Sequence, residues 1–248
     1  MIRRHGLAAL AALAVASCAS PAAAQAPEWR IIDNSFLVEE AFNQERGVFQ
    51  NIFAWTLNDS RNWQGSFTQE WPMPGMRHQF SFTIPFADDD GAAGFNDFLI
   101  NYRFQLLEGS GGALAVSPRL SLILPTGNDA LGLGSGKLGM QVNLPASKQL
   151  GNFYVHANAG TTWIPGIEHQ ETLAGSVIWQ TTPMFHLMLE AVGQLGEAFT
   201  LSPGFRRGWG DEKQIVVGLA APVTWGSGSS QVSLLTYFSY ELPFRKLH

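Results

Sequence analysis

Phe80-Ser81-Phe82-Thr83-Ile84-Pro85-Phe86, and further on Phe98-Leu99-Ile100-Asn101-Tyr102-Arg103-Phe104, decide how this chain folds. In the first stretch Phe80, Phe82, Ile84 and Phe86 alternate with Ser81, Thr83 and Pro85. In the second, Phe98, Ile100, Tyr102 and Phe104 alternate with Leu99, Asn101 and Arg103. A period of two is that of a strand with one oily and one largely polar face. The pattern returns almost to the C-terminus, and the oily row reads as free of formal charge. Strands of that kind suit a closed barrel in lipid, whose side chains alternate between membrane and lumen.

Outward from these two stretches, twelve strand-like runs are expected, near 48–57, 64–72, 77–86, 95–106, 113–125, 137–145, 152–164, 170–180, 184–193, 198–207, 213–223 and 231–243. Each approaches the roughly 9–11 residues that cross a bilayer at a tilt. Short connections such as Met73-Pro74-Gly75 and Thr181-Thr182-Pro183 alternate with longer polar ones, Ala87–Gly94, Thr126–Lys137 and Trp225–Ser230. Short periplasmic turns and longer outer loops are the habit of outer-membrane barrels. Trp55, Trp71, Phe86, Trp163, Trp179 and Trp209 fall near strand ends, as interfacial girdles require. The last strand ends near Phe244, similar to the terminal aromatic signal of the barrel-assembly machinery.

Composition agrees. The chain has 248 residues, enough for one large all-β domain. Charged residues are 14 %, against roughly 25 % in ordinary soluble domains. Hydrophobic residues are 46 %, yet no run long enough for a transmembrane helix follows the N-terminal stretch. A net charge of −5 implies no nucleic-acid partner. Residues 1–26 read as an export signal: Arg3 and Arg4, an apolar core from Leu7 to Ala16, and small residues before cleavage after Ala24 or Ala26. The single cysteine, Cys18, excludes an internal disulfide. It lies either in a discarded leader or in a lipobox-like context, Val15-Ala16-Ser17-Cys18.

Residues 27–47 precede the barrel of 48–244. Within them Asp33-Asn34-Ser35, the carboxylates Glu39 and Glu40, and Gly47 predict a short helix over 35–44, with a strand as the competing reading. A thirteenth strand would place the N-terminus outside, so a plug-like helix in or under the lumen is preferred. Parity turns Gln79, Ser81, Asn101, Arg103, Gln105, Arg119, Gln141, Asn143, Tyr154, His156, Asn158, His186, Glu190, Arg206 and Gln214 inward. Arg103, Arg119 and Arg206 face few anions on the wall, and Glu39 and Glu40 can supply them.

No catalytic or metal site is expected. His156 with Asn158 invites a lipid-hydrolase reading, but parity aims it into the lumen and no nucleophile motif accompanies it. His186 and Glu190 lie four apart on one strand, too far for a close pair. His5, His78, His169 and His248 are scattered. Gly132-Leu133-Gly134-Ser135-Gly136-Lys137 lacks P-loop spacing and context and reads as a flexible outer loop.

Several stretches resemble one family: Ser35–Gln44, Gln69–Pro72, Arg77–Phe86, Asn101–Phe104, Pro118–Ser121 with Leu124–Gly127, Gln141–Pro145, His156–Gly160 and Ser202–Phe205. Over residues 34–244 the chain is similar to the MetA-pathway of phenol degradation family of outer-membrane barrels. The resemblance implies kinship with transporters of fatty acids and aromatic hydrocarbons, and it carries over no substrate residue. The expectation is an all-β, closed, antiparallel up-and-down barrel of twelve strands, monomeric and set in outer-membrane lipid. It would use no cofactor and pass small hydrophobic or aromatic molecules. Its lumen residues would be Arg103, Arg119, Tyr154, His156, Asn158, Glu190 and Arg206, gated by Glu39 and Glu40. The alternatives are a non-transporting structural or adhesion barrel and, third, a barrel lipid hydrolase.

Overall fold

The computed structural model describes residues 31, 33, 35–167, 169–210, 214–226 and 228–244. The leader with Cys18 and His5, and the tail with His248, lie outside the described residues.

Sixteen ladder segments make one closed sheet. Three wall strands are interrupted, so the segments amount to twelve strands: β1 (Val48–Asn58), β2 (Trp63–Pro72), β3 (His78–Asp89), β4 (Ala92–Phe95, Phe98–Phe104 and Leu107–Glu108), β5 (Ala115–Val116 and Arg119–Leu124), β6 (Gly139–Leu150), β7 (Phe153–Trp163), β8 (Gln170–Thr182), β9 (Phe185–Gln194), β10 (Ala198–Trp209), β11 (Ile215–Ala220 and Val223–Gly226) and β12 (Ser229–Pro243). Every pairing is antiparallel and sequential, and β1 against β12 closes the ring, Val48 opposite Pro243 and Asn58 opposite Ser233. Closure satisfies the backbone without an edge, which is what a sheet needs in lipid. An even strand number puts both ends of the barrel wall at the same rim, the periplasmic one in the orientation expected from the sequence.

Parity holds where it was read. Leu120 and Leu122 are each 42 % exposed, whereas Ser121 between them is 0 %. Leu144, Leu173, Leu189, Phe199, Phe205 and Leu234 stand on the outer face. The freedom from charge is not complete: Lys148, Glu171 and Arg207 share outward rows, but only near strand ends, where headgroups and water meet them. The Arg207 guanidinium lies 5.3 Å over the Trp209 ring, a cation–π pair suited to that depth.

Four expectations need correction, one of them the longer loop at Trp225–Ser230, which is a tight hairpin with Trp225 opposite Ser230 and Gly226 opposite Ser229. The helix over 35–44 does not form; Phe36–Val38 and Ala41 are bends and the other residues of the stretch have no regular secondary structure. Among the described residues the only helices are single 3-10 turns, Ser110–Gly112 and Asp129–Leu131. The supposed loop Ala87–Gly94 is a tight hairpin, with Asp90 at φ 51° and Gly91 at φ 86° and the ladder running through Asp89 and Ala92. Both central residues of such a turn need positive φ, which Asp-Gly accepts.

The glycine-rich outer connection is also built rather than loose. Leu133 is buried, and the Asp97 carboxylate accepts from Gly127 N (2.9 Å), Ser135 N (2.7 Å) and Ser135 Oγ (2.8 Å). Asp97→Asn should lower amide protection over 126–136, because it removes the charged acceptor that these donors share. Protection equal to the parent's would contradict the clasp.

Candidate functional site

The lumen is occupied by the chain's own N-terminal residues. The described part of this strap starts at Ile31, beside Gly208 and Met184 near the periplasmic rim. It rises to an apex at Phe36–Glu39 and descends past Asn43 and Gln44 to enter β1.

Why the strap is not helical follows from the inner row. Leu37 N and Val38 N donate to Glu190 Oε1 at 2.7 and 3.2 Å. The Asn158 carboxamide imitates a peptide group, accepting from Glu39 N at 2.8 Å and donating to Glu39 O at 2.9 Å. Ala41 N donates to Ser147 Oγ (2.7 Å), Asn43 N to Gln105 Oε1 (3.0 Å) and Gln44 N to Gln79 Oε1 (2.6 Å). On the acceptor side, Ala41 O receives Gln105 Nε2 and Ser117 Oγ. A helix would spend these N–H and C=O groups on itself and leave the buried wall amides and arginines without partners, each a loss of roughly 1–3 kcal/mol. Wall side chains therefore override the local helix signals.

The arginines take the strap by its backbone. Arg103 donates to Glu40 O (3.1 Å), Phe42 O and Asn43 Oδ1 (3.1 Å). Arg206, 1 % exposed, donates to Asp33 O (2.8 Å), Ile31 O (3.3 Å) and His186 Nδ1 (3.3 Å). Arg119 holds a strap carboxylate as a fork, Nη2 to Glu39 Oε1 at 2.5 Å and Nε to Oε2 at 3.0 Å, while also donating to Asn101, Ser121 and Gln141. The expected carboxylate–arginine contact is thus formed by Glu39; for Glu40 the contact with Arg103 is through its carbonyl. Glu190, on the inward row with the arginines, caps two strap N–H groups.

His156 Nδ1 lies 2.6 Å from Ser147 Oγ, so a nucleophile-type residue does stand beside it. Both are at most 2 % exposed beneath the strap, and Ser147 already accepts Ala41 N–H. The pair brackets the strap. Tyr154 packs edge-on to Phe42 and stacks with His156.

Two features were missed. Asp33, read as a helix cap, is the buried anchor: its carboxylate accepts Gln50 Nε2 (2.8 Å), Tyr237 OH (2.5 Å) and Ser239 Oγ (2.5 Å). The polar inner row Tyr237, Ser239, Glu241 of the last strand was the available signal. Gly204 and Gly218 seat the Phe36 ring, which a Cβ at Gly218 would overlap.

Above the apex, toward the outer end, the lumen keeps a cavity of about 290 Å³ lined by Phe36, Leu37, Ala54, Thr56, Gln64, Gly65, Ser66, Pro85, Phe86, Ala87, Asn96 and Leu235.

No family model and no curated protein matches the chain. Solved structures do. The COG4313 outer membrane channel from Pseudomonas putida F1 is similar at TM-score 0.59 and 13 % identity, over 81 % of this chain and 97 % of that one. The KdgM porin is similar at TM-score 0.57 and 10 % identity, over 77 % and 98 %. At these identities the likeness concerns the fold. A closed twelve-stranded barrel with an apolar exterior and such fold relatives belongs in the bacterial outer membrane.

Proposed function

We propose that the barrel passes small hydrophobic or aromatic molecules across the outer membrane, with the strap as its movable constriction. The observation that carries this reading is how the strap is held. Its described contacts are side-chain hydrogen bonds, one ion-pair fork and ring packing, and none is a ladder pairing with the wall. The strap can leave without opening the barrel, whose strands close on one another. The reading includes membership of the MetA-pathway of phenol degradation family. Several stretches that carry that resemblance supply the strap and its receivers: Glu39, Arg103, Arg119 and Asn158.

Glu39→Gln tests the gate. The Arg119 fork would lose its charge partner while wall pairing stayed intact. Small-solute flux into liposomes should rise several-fold, with unchanged heat-modifiability of the purified barrel. Flux equal to the parent's would sink the gate. The second reading, a structural barrel with a permanently filled lumen, draws on the number of strap bonds. It expects no flux from either protein.

A further inference from the structure

The cavity above the strap apex differs from the rest of the lumen in one respect. Lower down, inner polar side chains such as Gln79, Gln105, Ser147 and Asn158 bond the strap or one another, with the lone Ser202 hydroxyl as an exception among the described residues. Around the cavity, Thr56, Gln64 and Ser66 make no side-chain hydrogen bond among the described residues. They are ordered by the sheet: Thr56 stands opposite Gln64, and Ser66, opposite Ala54, is one inward rung lower. Two residues along a strand separate the rungs by roughly 6.6 Å. Asn96 adds a fourth polar group, its buried Oδ1 without a hydrogen-bond partner among the described residues, and the rest of the lining is largely apolar, with Pro85 and Ala87 on β3, Leu235 on β12 and the Phe36 ring as floor. Among the described residues no ionisable side chain lines the space. A charged ligand would shed water there without a partner, whereas a neutral one would not. At about 290 Å³ the cavity lies at the small end of ligand pockets, near 300 Å³.

We propose that this cavity is a binding site for a neutral, single-ring molecule carrying hydroxyl groups on opposite sides, hydrogen-bonded to the Thr56–Gln64 rung and to Ser66 with its ring on Pro85, Ala87 and Phe36. The site deepens the passage reading and rests on it only in that the bound molecule then moves past the strap.

The test uses three matched probes on the full-length purified barrel, by calorimetry: 1,4-benzenedimethanol, p-xylene and terephthalate. The diol should bind at least tenfold more tightly than p-xylene, and the dianion should not bind. The double variant Thr56→Val with Ser66→Ala should bring the diol down to the p-xylene level. Ala87→Trp, which fills the cavity, should abolish binding of both. Heat-modifiability checks that each variant is folded, and either variant alone decides the matter. Equal binding of diol and p-xylene, binding of terephthalate, or indifference to Ala87→Trp would overturn the site. Diol binding that responds to both variants without flux in liposomes would uphold the site and count against passage alone.

Discussion

Arginine in place of Leu122 is expected to prevent assembly of the barrel, whereas arginine in place of Thr56 is expected to leave it folded. Leu122 lies within the Arg119–Leu124 ladder of β5, paired on both sides, and is 42 % exposed on the outer face. A guanidinium at that depth costs about 2–4 kcal/mol. Thr56 points into the cavity near the outer end, where an arginine reaches water. Ser121, the neighbouring inward position, is a poor control despite its parity. It is 0 % exposed and already receives Arg119, so a longer side chain would collide with the strap's anchor. Outer-membrane yield and heat-modifiability read the result. Equal loss in Leu122→Arg and Thr56→Arg would refute the orientation of the wall.

Arg103→Met should release the descending limb of the strap. The guanidinium holds Glu40 O, Phe42 O and Asn43 Oδ1 at once. Hydrogen bonds to a charged group contribute about 1.5–3 kcal/mol each. Losing three outweighs the ion-pair loss in Glu39→Gln, so small-solute flux should rise more than tenfold. The barrel itself should persist, because methionine keeps the volume and β4 keeps its ladder to β3 and β5. Protease accessibility of residues 35–47 should increase in parallel. A variant with parental flux and an equally protected strap would show that the arginine is not what holds it.

The wall was legible because lipid imposes one rule on every strand: apolar out, polar in. Twelve runs, the inward row and the position of the N-terminal residues in the lumen all follow from that rule. The strap's conformation was not legible. Asp33, Ser35 and Glu39 carry helix-start chemistry, and their immediate neighbours give no reason to reject a helix. The reason lies far along the chain, at Glu190, Asn158, Ser147 and Gln105, whose side chains meet consecutive strap residues only once the barrel has closed. The outer connection was misread for a similar reason. Gly132–Lys137 looks loose until Asp97, which precedes it by thirty-eight residues at Ser135, supplies the acceptor that folds it. Loop length misled at Ala87–Gly94 because polar residues there read as a loop while an Asp-Gly pair was making a turn.

The central claim, that the strap moves to open the lumen, is tested most directly by preventing the movement. Ser35 Oγ and Ser176 Oγ are 2.7 Å apart, one on the strap and one on β8. Cysteines at both positions, with Cys18 changed to alanine, should form a disulfide that ties the strap to the wall. Flux of a small aromatic solute into liposomes should be absent from the oxidised protein and return on reduction. Equal flux through the oxidised and reduced forms, with the cross-link verified by mass, would contradict the account.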